Sequence, residues 1–291
     1  MIGAIVVNAF LQPAQSVNQA ERLKKEFLKL NVEIEIISNG EELTSVSNGK
    51  LCSRLEKYDF IIFLDKDKYL SEILSQLSIP MFNSHNSIRL CDDKARTIIF
   101  LAQKGIPVPD TMFGLLSYKK ENVIPCDYLN AIINRLSLPV VVKESYGSMG
   151  KGVYLAKSKE ELALILQEIK LKPYILQKYL DTALGVDVRI IVIGGKAVSC
   201  IKRINKKDFR SNVGVGGSGE NFTPPESFIK VAEESAKALE LDFCGVDLLF
   251  DENLNPVVCE VNSNAFFEET EKVTGINVAE LYAKHVLKRL K

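Results

Sequence analysis

Hydrophobic positions early in the chain come in short continuous runs, separated by stretches where they recur at helical spacing. Ile2 to Val7 is an apolar run ended by Asn8, which predicts a buried strand. Ser16 is a capping residue, and Leu23, Phe27 and Leu30 after it share one helical face, which predicts a helix through Leu30. Val32 to Ile37 alternates apolar with acidic residues, Tyr58 to Leu64 reads as a strand, Tyr69 to Leu77 as a short helix and Pro80 to Asn83 as a short extended piece. Asn39 to Lys50, rich in Asn, Ser and Gly, reads as loop. Strands and helices alternating at these lengths predict a small parallel α/β domain over residues 1–85.

The pattern then changes. Asp92 or Asp93 caps a helix that runs to about Lys104 and stops at Gly105, with Pro107 and Pro109 barring its continuation. A helix around Asp127 to Leu136, a strand over Pro139 to Lys143, a glycine-rich loop, a strand over Gly152 to Leu155, a helix around Ser158 to Ile169 and a strand over Tyr174 to Tyr179 make a second α/β module, residues 86–180. Residues 181–291 hold a hairpin from Asp187 to Arg203, a Gly-rich loop from Gly214 to Gly219, a helix around Phe228 to Leu241, two paired strands and a C-terminal helix ending at Lys288 and Arg289.

Composition removes several function classes. Lys+Arg 37 against Asp+Glu 37 leaves no net charge, so the long-range field of a phosphate-tracking nucleic-acid binder is absent. The longest apolar runs fall far short of the roughly eighteen residues of a membrane span. No basic residue precedes Arg22, so the apolar start lacks the charged region of a secretory signal. Cys52, Cys91, Cys126, Cys200, Cys244 and Cys259 contain no C-x-x-C pair, and His85 and His285 are far apart, which argues against a zinc or thiol-redox centre and for thiols in a reducing cytoplasm.

Three constellations carry candidate chemistry. Glu144 to Gly152 reads E-S-Y-G-S-M-G-K-G between two strands, a loop whose glycines let backbone N–H groups approach an anion, with Lys143 at the end of the strand leading in. It is no P-loop, because a strand follows and no G-K-[ST] is present. Gly245 to Phe250 and Val257 to Asn262 flank a polar turn and predict an antiparallel hairpin. If Phe250 pairs with Val257, Asp247 faces Glu260, and Asn262 projects to the same side. Oxygen donors at this spacing suit Mg²⁺ with a nucleotide. Arginine is sparse, yet Arg189, Arg203 and Arg210 crowd one segment, where a rigid fork can grip carboxylate or phosphate.

Taken in order, Asp93-Lys94, Val-Val-Lys143, the glycine loop, Leu-Gln-Lys-Tyr-Leu180, Gly-Val-Asp-Val-Arg189, Asp-Phe-Arg-Ser-Asn212, Gly-Val-Asp247 and Glu-Val-Asn262 resemble the ATP-grasp ligases, and within them the RimK-type group that joins glutamate or related amino acids to an acceptor. The resemblance is close over residues 85–291. It implies two α+β subdomains clasping ATP, 86–180 and 181–291, behind a small parallel α/β domain. It further implies that Lys94 and Lys143 reach the phosphates, that Gly147, Ser148 and Gly150 cradle them, and that Gln177, Lys178, Tyr179 and Leu180 form the hinge beside adenine. Asp187 is implied as a nucleotide contact, and Asp247, Glu260 and Asn262 as ligands of two Mg²⁺ ions, or Mn²⁺ in their place. Arg210, Ser211 and Asn212 match the loop that closes over triphosphate and substrate, and Arg203 matches a basic residue beside the transferring phosphate.

The implied reaction is amide formation through an acylphosphate, with Arg203 and Arg210 stabilising the charge. The segment Asn212 to Glu220 reads as a lid that excludes water. The partners are a carboxylate and an amine, with a small-molecule or protein acceptor, and neither nucleic acid nor membrane is expected. Phe266 and Phe267 leave self-association open. Two departures from the family pattern stand out: Lys178 replaces a common hinge Glu, and Ser263-Asn-Ala-Phe-Phe267 replaces a common Ser-Pro-Gly, so substrate identity does not carry over. The alternatives are a non-catalytic ATP-binding regulatory module and a D-alanine-D-alanine-like dipeptide ligase.

Overall fold

The apolar runs at the start of the chain become a parallel sheet. In the computed structural model, which describes residues 1–10, 14–41, 43–211 and 216–291, the first stretch holds β1 (Ile2–Val7), α1 (Ala14–Lys29), β2 (Glu33–Ser38), β3 (Thr44–Ser47), β4 (Lys50–Ser53), β5 (Phe60–Leu64), α2 (Lys68–Gln76) and β6 (Met81–Phe82). Strands β2, β1, β5 and β6 lie side by side in that order, all parallel. Two expectations fail here. Helix α1 begins before Ser16, which therefore lies in its first turn instead of capping it; Ala and Gln favour helix enough to extend it toward the N-terminus. The stretch Asn39 to Lys50 is not all loop, because β3 and β4 form a hairpin across Asn48 and Gly49, both at positive φ. An Asn-Gly pair in that conformation matches the twist of the flanking strands.

Two helices follow, α3 (His85–Asp92) and α4 (Lys94–Gln103), parted at Asp93, whose carboxylate caps α4 by accepting from the N–H of Ala95 and Arg96. Next come β7 (Thr111–Phe113), α5 (Cys126–Leu136), β8 (Val140–Glu144), β9 (Val153–Ala156), α6 (Lys159–Ile169) and β10 (Tyr174–Lys178). Their sheet runs β7-β10-β8-β9 and is antiparallel throughout. Helices α5 and α6 bury Leu129, Ile132, Leu162 and Leu166 against one face of it, forming a core of its own.

The last third holds β11 (Val186–Ile193), β12 (Lys196–Ile204), β13 (Ser218–Asn221), α7 (Glu226–Ala238), β14 (Phe243–Phe250), β15 (Pro256–Asn262), α8 (Glu268–Thr274) and α9 (Val278–Arg289). The antiparallel sheet β13-β12-β11-β14-β15 is covered on one face by α7, α3 and α4, and on the other by α9 and the N-terminal sheet. Ile5, Phe60 and Phe82 thus share one core with Ile191, Phe243, Phe267 and Tyr282. Among the described residues no helix is long and apolar enough to cross a membrane.

Candidate active site

The hairpin β14–β15 sets the centre of the site. Asp247 stands directly opposite Glu260, but Phe250 pairs with Pro256 instead of Val257, because a bulge between Asp247 and Leu248 shifts the register by one. On its other side Asp247 faces Arg189 of β11. Arg189 donates from Nε and Nη2 to the two carboxylate oxygens, each at 2.7 Å. Arg203 of β12 stands opposite Asp187 of β11 and grips it with both arms, Nε to Oδ1 at 2.7 Å and Nη2 to Oδ2. The same Nη2 lies 2.9 Å from Asp247 Oδ2. Burial opposes charge on Asp247, yet the two guanidiniums hold its carboxyl below the usual range. Burial likewise opposes charge on Arg203, and Asp247 and Asp187 more than restore it.

Glycine at 245 keeps this space open. A Cβ there would lie 2.6 Å from that of Ala265 and 3.5 Å from Arg189 Nε, so any side chain would push against the loop after β15 or the guanidinium.

These strands floor a cleft enclosing about 850 Å³ including its open mouth. Lys94, Lys143, Gly147, Ser148 and Gly150 line one side, while Gln177, Lys178, Tyr179 and Leu180 form the end where the chain crosses between sheets. Asp187, Arg210, Ser211, Asp247 and Glu260 line the rest. Arg203 and Asn262 stand one layer back: Arg203 is 2% exposed, and Asn262 reaches Asp247 Oδ2 with Nδ2 at 3.4 Å. Asn212 lies outside the described residues, as does part of the expected lid; its far end is anchored where Gly219 N–H donates to Glu269 at 2.7 Å.

The cations facing the cleft hold the glycine-rich loop. Lys94 Nζ donates to Gly147 O at 2.8 Å and lies 3.5 Å from Glu260. Arg210 Nη1 donates to Gly150 O at 2.7 Å, while its other nitrogens pair with Asp208. Lys143 differs: the residue is 8% exposed, and its ammonium has no carboxylate partner among the described residues, only Cys259 Sγ at 3.5 Å. A cation so placed favours an incoming anion. At the hinge Lys178 N–H is spent on Asp110 O at 2.9 Å, and Gln177 is tied to Thr111 at 3.1 Å. The side chain of Lys178 turns outward to Glu252, so its exchange for the family's Glu leaves the cleft wall intact.

The donors fit a hard cation. Each carboxylate oxygen has two lone pairs, and Asp247 Oδ1 spends one on Arg189. Asn262 turns its NH₂ to Asp247, so its carbonyl oxygen is not spent on that carboxylate, and among the described residues Glu260 pairs with Lys94. Among the described residues no group of three or more His, Cys, Asp or Glu could hold a metal by itself. Two carboxylates and an amide suit an ion that fills its octahedron with water and phosphate, as Mg²⁺ does, and not one that needs a full protein cage.

Sequence reasoning placed Arg189 in the arginine cluster but gave it no role of its own in the site. Its signal was present: two residues after Asp187 on one strand, it shares that residue's face. Its partner is 58 residues away, so only strand pairing reveals it.

A family model described as the RimK-like ATP-grasp domain matches residues 91–286. An uncharacterized protein of Mycoplasma pneumoniae is 31% identical over 284 residues, covering 96% of each chain. A probable alpha-L-glutamate ligase of Maridesulfovibrio salexigens is 40% identical over 208 residues, 70% of this chain and 65% of that protein. Human N-acetylaspartylglutamate synthase A is 32% identical over 230 residues, 78% of this chain and 57% of that protein. Among solved structures, D-alanine–D-alanine ligase from Bacillus anthracis complexed with ATP aligns with a TM-score of 0.75 at 20% identity, covering 100% of this chain and 97% of that one. A RimK domain ATP-grasp protein from Sphaerobacter thermophilus aligns at 0.74 and 19%, covering 99% and 100%. The two structures share the ATP-grasp fold with this chain.

Proposed function

Because the chain belongs to the RimK-like ATP-grasp family, whose domain spans residues 91–286, we propose that it is an ATP-dependent carboxylate–amine ligase that joins glutamate or a related amino acid to an acceptor. The observation that carries this reading is the facing pair Asp247 and Glu260 at the floor of a cation-walled cleft. Relatives named for glutamate addition support the choice of amino acid. The domain division expected from sequence belongs to the same proposal.

Asp247, Glu260 and Asn262 would hold Mg²⁺, which when bound screens phosphate charge and lets ATP phosphorylate a substrate carboxylate to an acylphosphate that the amine then attacks. The remaining work is done by this chain's own groups. Lys143 supplies a positive charge with no carboxylate partner among the described residues, and Lys94 exchanges Gly147 O for a phosphate oxygen. Arg210 makes the same exchange from Gly150 O and neutralises charge on the transferring group. Arg203 and Arg189 keep Asp247 ionised and aimed at the cleft. Arg203 acts on the reacting centre from behind Asp247.

Assays of ADP and phosphate release against a panel of amino acids and acidic acceptors, with mass spectrometry of products, test the reading. Release that depends on both a carboxylate and an amine, with a product heavier by one amino acid residue, is expected. Tight ATP binding without turnover would replace it with a regulatory module, and a D-alanyl dipeptide product with a dipeptide ligase.

A further inference from the structure

The glycine-rich loop between β8 and β9 is tied to residues outside its own sheet by two kinds of contact. Lys94 and Arg210 donate to its carbonyls at Gly147 and Gly150, and in the function proposed above, on which this inference rests, both cations turn to phosphate oxygens when nucleotide enters. Nucleotide binding thus dissolves two of the bonds that hold the loop down at the moment it must stay seated. Among the described residues, the contacts for which no phosphate competes lie at the start of the loop. Lys94 N–H donates to Ser145 O at 3.0 Å, and the Tyr146 hydroxyl donates to Asp93 Oδ2 at 3.0 Å. Asp93 divides its carboxylate for this: Oδ1 caps α4, and Oδ2 is left to the tyrosine and to Arg96 Nε at 3.6 Å. The ring of Tyr146 meets the N-terminal domain. Lys68 Nζ, at the first residue of α2, lies 3.6 Å from the ring centroid, within cation–π range. Asp92 sets that ammonium in place at 3.4 Å and pairs with Lys66 at 3.1 Å. Tyr146 is 41% exposed, so polar contacts and the cation hold it where burial does not.

We propose that Tyr146 is a positioning residue that keeps the glycine-rich loop seated over a bound nucleotide, with Asp93 and Lys68 as its two anchors. The hydroxyl fixes the loop to the start of α4, and the ring fixes it to α2, so the N-terminal domain takes part in holding the nucleotide without touching it. Loss of either anchor lets the loop lift once Lys94 and Arg210 have turned to phosphate. The consequence is faster nucleotide departure, with entry little changed.

The probe is the N-methylanthraniloyl derivative of ATP with Mg²⁺, displaced from the full chain by unlabelled ATP in a stopped-flow fluorimeter. Dissociation is expected to quicken about tenfold in Tyr146→Ala and about threefold in Tyr146→Phe, which keeps the ring, and in Lys68→Met. Lys68→Arg keeps the cation over the ring and returns the rate to that of wild type. In the Tyr146→Ala background Lys68→Met adds nothing, because its effect runs through the ring. Tyr146→Phe and Lys68→Met change half-exposed side chains, so they carry the test should Tyr146→Ala fail to fold. The chain has no tryptophan, so Tyr146→Trp places a single reporter on the loop. Its quenching by acrylamide stays the same when Mg²⁺-ATP binds and rises on binding when Lys68→Met is added. Unchanged dissociation in Tyr146→Phe and Lys68→Met, an equal effect of Lys68→Met with and without Tyr146, or quenching that rises on binding with Lys68 intact would overturn the positioning role alone. Absence of nucleotide binding by wild type would overturn the ligase reading along with it.

Discussion

Asp247 is 2% exposed and carries contacts from two guanidiniums and an amide, so its neighbours decide what it can do. Arg189 is the partner that fixes its orientation, since among the described residues it alone grips both oxygens. Replacing Arg189 with Lys keeps a positive charge but loses the fork. Magnesium affinity in the presence of nucleotide is expected to fall about 10–100-fold, with nucleotide affinity in EDTA changed far less; titration calorimetry under the two conditions checks this. At this scale the sequence was readable where a residue's place follows from its own strand, as for Asp247 facing Glu260 and Lys143 near the end of β8. It was unreadable where that place depends on a partner in the neighbouring strand but 58 residues away in sequence, as for Arg189.

Helices and strands were legible from periodicity, and their faults have local causes. The hairpin over residues 44–53 was hidden because its residues are mostly polar, although Asn48-Gly49 signalled its turn. The pairing of Asp247 with Glu260 was expected from a register that holds only on one side of the bulge. Contacts between helices left no trace in the pattern, and Glu26 is the case in point. It lies 2% exposed on α1, and the network around it reaches α8 and α9, with Arg22 donating to Glu271 at 3.0 Å and to Asn277 at 2.8 Å as well as to Glu26. Burial opposes its ionisation, but Arg22, Lys29 and Asn277 outweigh it and hold the carboxyl at about 2. Because the folded value is depressed below the unfolded one, the stabilisation is complete above about pH 4.5 and is lost as pH falls toward 2. On the order of 3 kcal/mol is at stake. Urea midpoints measured from pH 6 to pH 2.5 should drop more steeply for wild type than for Glu26→Gln; parallel curves would remove Glu26 from acid sensitivity.

Taken as a whole, the molecule has a base built on one shared core and an upper lobe with a core of its own. The N-terminal sheet and the C-terminal antiparallel sheet share one core, whereas the β7-β10-β8-β9 sheet packs on its own helices, and the cleft lies between that lobe and the base. Asn83 joins the halves of the base: its amide donates to Phe243 O at 2.7 Å and Ser263 O at 2.8 Å, and its carbonyl accepts from the N–H of Asp242 and Phe243. Asn83→Ala strands these buried backbone groups, and a loss of about 3 kcal/mol or more is expected in chemical denaturation. A loss below about 0.5 kcal/mol would mean that water or backbone shifts replace the amide. The assembly was legible only through resemblance to a family, since no local pattern says that a strand-end asparagine clasps a sheet 160 residues away.

The account rests on Asp247 and Glu260 gripping a metal-bound nucleotide, and calorimetry of ATP binding with and without Mg²⁺ to wild type, Asp247→Asn and Glu260→Gln tests it most directly. Wild type is expected to bind ATP at least tenfold more tightly with Mg²⁺ than in EDTA, and each variant to lose that enhancement while remaining folded. Equal magnesium enhancement in the variants, or none in wild type, would contradict it.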